Sequence, residues 1–132
     1  MYIEKLATDI RRAVELVLTY TCEDFNLMNE AEVYAVRYNL IVIAEDLTTL
    51  SLHISRRLFG EEPETLLHAF RILRDKGFMN EEEYRDVVNL VKLRNLLVHR
   101  YWAIDDRRIH EDVKGNFKNV LSFIDRVVKL VR

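Results

Sequence analysis

Between Asn29 and Gly60 no proline or glycine interrupts the chain, and through that run Val33, Val36, Leu40, Ile43, Leu47, Leu50, Ile54 and Leu58 recur at steps of three and four. Successive helical residues turn by about 100°, whereas strand residues alternate, so a stripe of this period belongs on one face of an α-helix. The run is also far longer than an ordinary strand. Both ends are marked. Asn29 followed by Glu32 is a capping-box start, and Gly60 is a stop that tolerates a left-handed backbone. Tyr34, Tyr38, Ile41 and Leu52 add apolar surface on another side, so this helix is expected to be central or to lie at a seam between two copies of the chain.

The remaining elements follow from the same signals. A first helix is expected from about residue 2 to 22, with Ile3, Leu6, Ile10, Ala13, Val17 and Tyr20 on its apolar face and charges opposite. After the long helix, Pro63 suits a first helical turn, and Leu66, Leu67, Phe70 and Leu73 make a short third helix stopped at Gly77. Asn80 and Glu83 repeat the capping box and open a fourth helix near residue 81. Trp102 to Asp105 form a break, and the last helix runs from about 106 to 131 through Val113, Phe117, Val120, Ile124, Val127 and Val131. Gly115 is its weak point, by roughly 1 kcal/mol against alanine. The expected fold is an all-α, compact five-helix bundle forming one domain over residues 1–132.

At 132 residues, 49% apolar and 32% charged, the chain can bury a single core of ordinary globular composition. A net charge of −2 lacks the basic balance of a general nucleic-acid binder, so any such binding must be local. Cys22 is the one cysteine, which excludes a disulfide framework and a cysteine zinc cluster and points to a reducing, cytoplasmic home. His53, His68, His99 and His110 lack metal-ligand spacing, so neither metal nor cofactor is expected. The amino terminus carries charge where a signal peptide needs an apolar run, and no uncharged stretch is long enough for a membrane span.

The fourth helix ends in Arg94-Asn95-Leu96-Leu97-Val98-His99-Arg100-Tyr101-Trp102. Val87, Leu90, Val91, Leu97 and Val98 fall on one face of that helix, and Arg94 lands in the middle of it. A guanidinium among aliphatic neighbours loses several kcal/mol of hydration unless a carboxylate, carbonyl or anion replaces the water. Taken alone, Arg94 therefore reads as half of a salt bridge to a neighbouring helix. Asn95 and His99, four apart, lie on one side of the helix, about 100 to 140° round from Arg94. One straight helix cannot aim Arg94 and His99 at the same atom. Either the chain breaks near His99, or a second copy supplies the missing group across a two-fold axis. Arg recognises phosphate through a planar fork, and His exchanges protons near neutral pH, a combination suited to metal-free RNA cleavage. Arg100, Arg107 and Arg108, with Lys92, could add an RNA-binding patch beside Arg94. Each also reads as part of a solvated helix end.

Arg94-x4-His99-x-Tyr101, preceded by an apolar helix and followed by Trp102-Ala103-Ile104-Asp105, resembles the signature of the HEPN superfamily, and more narrowly that of the HepT-type toxins of HEPN–MNT toxin–antitoxin pairs. The resemblance extends to the long helix with Glu45 and His53 and to Glu-Thr-Leu-Leu-His-Ala-Phe-Arg-Ile-Leu before Gly77. It implies a homodimeric ribonuclease with motifs from two subunits facing one cleft, its dimer seam running along the long central helix and the motif helix. Carried over by position, Arg94 would bind the scissile phosphate, His99 would be the acid and base, Asn95 would orient, and Glu45 would partner the Arg94 region. It further implies a nucleotidyltransferase antitoxin of the MNT type that places AMP on Tyr101. One departure stands out. The family often has an arginine opening the apolar run of the long helix, where this chain has Tyr38 preceded by Arg37.

The leading expectation is a metal-independent endoribonuclease toxin that cleaves tRNA or mRNA by transesterification. The alternative is a non-catalytic helical subunit that docks on a nucleotidyltransferase and helps bind its substrate. A purely structural helical dimer is the third reading. Without the resemblance, Tyr101 and Trp102 read as amphipathic rings closing off a core.

Overall fold

The computed structural model describes residues 2–131, with the backbone alone for residues 114–116 and 131, so the expected weak point at Gly115 and the expected burial of Val131 lie outside what is described. Among the described residues the elements are α1 (Tyr2–Thr21), α2 (Glu30–Phe59), α3 (Leu66–Asp75), α4 (Glu81–His99) and α5 (Asp106–Val131), with two single 3-10 turns, Phe25–Leu27 and Tyr101–Ala103. The all-α expectation holds, and the two turns are helical segments beyond the five that were expected.

The four long helices close a ring in which α1 packs on α2, α2 on α4, α4 on α5, and α5 back on α1, while α3 bridges α2 and α4. The stripe of α2 supplies its middle: Val36, Leu40, Ile43, Leu47, Leu50 and Ile54 are buried. Facing them are Ile10, Val14 and Val17 of α1, Val87 and Leu90 of α4, and Phe117, Phe123 and Ile124 of α5. Truncating a fully buried residue such as Phe123 to alanine in a core of this kind costs about 3–5 kcal/mol.

Local chemistry fixes where the helices begin and end. Both capping boxes form: the Asn29 side chain accepts from the Glu32 amide at 2.8 Å, and the Asn80 side chain accepts from the Glu83 amide at 2.8 Å. Gly60 and Gly77 take positive φ values of 61° and 76°, as helix-ending residues without a Cβ can. Pro63 departs from expectation. Thr65 caps α3, its hydroxyl accepting from the His68 amide at 3.0 Å, so the helix starts at Leu66 and Pro63 stays in the lead-in. A hydroxyl acceptor satisfies an otherwise orphaned helical amide, which a proline ahead of it cannot do.

Several apolar residues assigned to buried faces are exposed: Leu58, Leu66, Leu67 and Val98. They sit at the first or last turn of their helices, where the neighbouring element no longer reaches. Tyr34 and Tyr38, 53% and 66% exposed, also stand outside the bundle.

Glu83 has a second role that its capping position does not reveal. Its carboxylate is wholly buried and takes both outer nitrogens of Arg126 on α5, at 2.7 and 3.0 Å. Burial alone would push this carboxyl up, but the hydrogen bonds from Arg126 and from the Asn80 backbone outweigh it and hold it below the usual carboxylate range.

Candidate active site

Arg94 projects from α4 between Leu90 and Val91 on one side and Leu97 on the other, all three buried, yet its own side chain keeps 29% of its surface in water. It opens onto a cleft of about 300 Å³ between α2, α3 and α4, lined by Glu45, Thr48, Thr49, Leu52, Leu66 and Asn95 among others. The guanidinium is only loosely satisfied there. Nε and Nη2 share one carboxylate oxygen of Glu45, at 3.3 and 2.9 Å, and Nη1 donates to the Asn95 side-chain oxygen at 3.1 Å. Glu45 is itself half exposed, at 52%.

Magnitudes decide what such a pair can do. A solvent-exposed ion pair contributes about 0–1 kcal/mol, whereas a hydrogen bond to a charged group contributes about 1.5–3 kcal/mol. The Arg94–Glu45 contact combines both characters, charge-assisted hydrogen bonds to a carboxylate that is half in water. The geometry gives the Arg94 fork two polar partners, Glu45 and Asn95, and leaves it reachable from solvent. Of the residues grouped with Arg94 on sequence grounds, these two are the ones found touching it.

His99 is the last residue of α4 and is exposed. At Arg100 the backbone turns out of the helix, with φ −139° and ψ 45°, so the break falls where the motif required one. It does not swing the imidazole back onto Arg94. Five residues separate the two, roughly 7.5 Å of rise and 140° of turn, and no hydrogen bond joins them among the described residues.

Tyr101 opens the turn that follows. Its ring meets Trp102 edge to face at 5.4 Å, and the two side chains are 61% and 69% exposed. The reading of these rings as a lid on the core is therefore set aside: the phenol stands in solvent. The turn is held from below by Arg37. Its Nε and Nη2 grip both carboxylate oxygens of Asp106, at 2.8 and 2.7 Å, and Nη1 donates to the Tyr101 carbonyl at 3.3 Å.

The basic residues divide. Lys92 and Arg100 are exposed beside the motif. Arg108 is exposed and lies 3.6 Å from Asp112 one turn on. Arg107 faces the loop before α2 instead, bonded to the Asn26 side chain and stacked over Phe25 at 4.9 Å. The other histidines are occupied elsewhere. His53 meets Tyr2 edge to face at 5.6 Å. The Nδ1 of His68 accepts from the Glu64 amide at 3.0 Å, and buried His110 donates from Nε2 to the Glu23 carbonyl at 2.7 Å.

Sequence reasoning missed Asp106 and could not place Arg37. The only trace was an arginine set among Val36, Tyr38 and Leu40, with two acids opening the last helix. Nothing in spacing pairs residues 69 positions apart.

Comparison with known proteins places this arrangement. The family model described as Ribonuclease HepT-like matches residues 6–127. The chain belongs to the HepT-like ribonuclease family of the HEPN superfamily. A candidate RNase of Archaeoglobus fulgidus is 30% identical over 96 residues, covering 73% of this chain and 72% of that one. Among solved structures, a tri-AMPylated Shewanella oneidensis HEPN toxin in complex with its MNT antitoxin superposes with a TM-score of 0.86 at 20% identity, covering 98% of this chain and 97% of that one. The Bacillus subtilis protein YutE, described as cytosolic and of unknown function, gives 0.83 at 17% identity over 98% and 87% of the two chains. These two structural matches show that this chain shares their fold. No helix among the described residues is long and apolar enough to cross a membrane.

Proposed function

We propose that this HepT-like chain is an endoribonuclease toxin that cleaves RNA by transesterification, with Arg94 binding the scissile phosphate and His99 moving protons. The observation that carries the reading is Arg94 itself: a guanidinium rooted in an apolar stripe, open to solvent, and held by a half-exposed Glu45 and by Asn95.

The reaction needs no bound metal for its bookkeeping of atoms. The ribose 2′-oxygen attacks the adjacent phosphorus, the bond from phosphorus to the 5′-oxygen breaks, and a cyclic phosphate and a free 5′-hydroxyl result. An imidazole accepts the 2′-hydroxyl proton or delivers one to the leaving oxygen, a step worth about 10²–10⁴ in rate. Arg94 neutralises charge growing on the phosphoryl oxygens, and Asn95, already bonded to it, orients the fork. Because α4 points its Arg94 and His99 in different directions, a working site combines Arg94 of one subunit with the imidazole of a second. The exposed Tyr34, Tyr38, Leu96 and Val98 provide apolar surface for such a homodimer. Lys92, Arg100 and Arg108 extend the positive surface along the RNA. The substrate is tRNA or mRNA, and the home is the cytoplasm.

Silencing follows from Tyr101. An MNT-type nucleotidyltransferase antitoxin would bring ATP to the exposed phenol; the phenolic oxygen attacks the α-phosphorus, pyrophosphate leaves, and the tyrosine carries AMP. Bulk and negative charge on the turn that follows His99 and Arg100 would then oppose RNA by volume and repulsion.

The test is direct. Arg94→Ala and His99→Ala are each expected to lower RNA cleavage by about 10²-fold or more, with helical circular dichroism unchanged, while EDTA leaves the wild-type rate intact. A folded His99→Ala protein that cleaves at the wild-type rate would end the proposal.

A further inference from the structure

We infer that Arg37 is a positioning residue for AMP transfer to Tyr101, acting through the backbone of the turn that carries the acceptor; the inference rests on the reading of Tyr101 given above. The turn has little else to fix it. Ala103 donates to the Arg100 carbonyl at 2.9 Å, which shapes the turn but does not tie it to the bundle. The rings of Tyr101 and Trp102 touch each other, and both stand mostly in water. The polar tie from the rest of the fold is the Nη1 donor of Arg37 on the Tyr101 carbonyl.

That donor cannot wander, because the same guanidinium is clamped elsewhere. Two of its nitrogens match the two oxygens of Asp106, the first residue of α5, and the Tyr34 ring lies beside it at 5.6 Å from the centroid. The Arg37 and Asp106 side chains are only 17% and 23% exposed, so water competes weakly for the pair. A planar fork fixed by two bonds fixes the direction of its third. The Tyr101 carbonyl is thereby tied to both α2 and α5, which narrows the positions open to the phenol. Group transfer needs the reacting atoms about 3–3.5 Å apart and aligned, and a small misplacement of the acceptor slows it far more than it weakens docking. Arg37 touches no nucleotide in this account.

Two variants separate this role from simple bracing of α2 against α5. Arg37→Lys keeps the charge and the attraction to Asp106 but has no planar fork to span the carboxylate and the carbonyl together. The exchange Arg37→Asp with Asp106→Arg restores an ion pair between the helices while removing the donor from α2. AMP incorporation is followed by intact mass with ATP and an MNT-type nucleotidyltransferase that modifies the wild-type protein, below the melting temperature of each variant.

Both variants are expected to lower kcat for AMP transfer at least tenfold, with a much smaller change in KM for the protein acceptor. Transfer to Arg37→Lys within twofold of wild type would overturn the inference. So would recovery of the wild-type rate in the exchange variant, since pairing alone would then suffice. Wild-type protein that takes no AMP, or a Tyr101→Phe variant that takes as much as wild type, would instead sink the reading of Tyr101, and this inference with it.

Discussion

Helix α4 carries an arginine–carboxylate pair near each end, and the two behave as different objects. At its start Glu83 lies wholly inside the protein, receives two nitrogens of Arg126 and a backbone amide, and leaves Arg126 a further bond to the Phe78 carbonyl. Near its end Arg94 spreads two nitrogens over one oxygen of a half-exposed Glu45. The difference lies in the carboxylates: Glu83 is sealed from solvent while the outer edge of Arg126 is wet, whereas Glu45 is half exposed and borders an open cleft. An ion pair of the first kind fixes α4 to α5, and one of the second kind adds little to the fold.

The sharpest break of this comparison is at the buried end. Arg126→Ala strands the Glu83 carboxylate in the core and is expected to cost about 3 kcal/mol, the lower end of the range for an orphaned buried charge because the outer edge of Arg126 is wet. Urea unfolding followed by circular dichroism measures it. A loss below about 1 kcal/mol would place Glu83–Arg126 in the same class as the surface pairs.

The pH dependence of stability should show both environments with opposite signs. Glu83 is held below its ordinary range, so its contribution is present at neutral pH and is lost as pH falls through the acid range. Asp46, next to Glu45 on α2, is pushed up to about 6 by burial and by the charges of Asp9 and Glu45. The native state therefore holds that proton more tightly than the unfolded chain, and this carboxyl weakens the fold as pH rises from about 4 through about 6. Melting temperatures between about pH 4 and 7 should be higher for Asp46→Asn than for wild type at the upper end and converge toward the lower. Curves that stay parallel would remove Asp46 from the account.

The smallest stability effect belongs to the cleft. Glu45→Gln is expected to change stability by less than about 1 kcal/mol. It should also raise affinity for a short single-stranded RNA, by up to about fivefold, because Arg94 loses its competing anion. Binding titrations on a cleavage-dead His99→Ala background measure this. Weaker binding would mean that Glu45 holds Arg94 in its working position instead of competing for it.

The contrast between the two ends also marks what could be read from residues alone. Capping boxes at Asn29 and Asn80 and stops at Gly60 and Gly77 placed helix ends because capping is local chemistry, complete within four or five residues. The stripe of α2 announced the core for the same reason. Periodicity names a face but not its cover, which is why Val98 and Leu66 were assigned inside and stand outside. Arg94 and Glu45 were grouped through family resemblance. The Glu83–Arg126 and Arg37–Asp106 pairs were not, since each joins elements far apart in the chain and no helical period relates them.

Arg37 and Glu45 both grow from α2, two turns and roughly 12 Å apart along its axis. One holds the carbonyl of Tyr101 and the other rests against Arg94. A single stiff rod of 30 residues thus serves as a common ruler for the place where the protein would be disarmed and the place where it would act. Any bend or shift of that rod must disturb both at once.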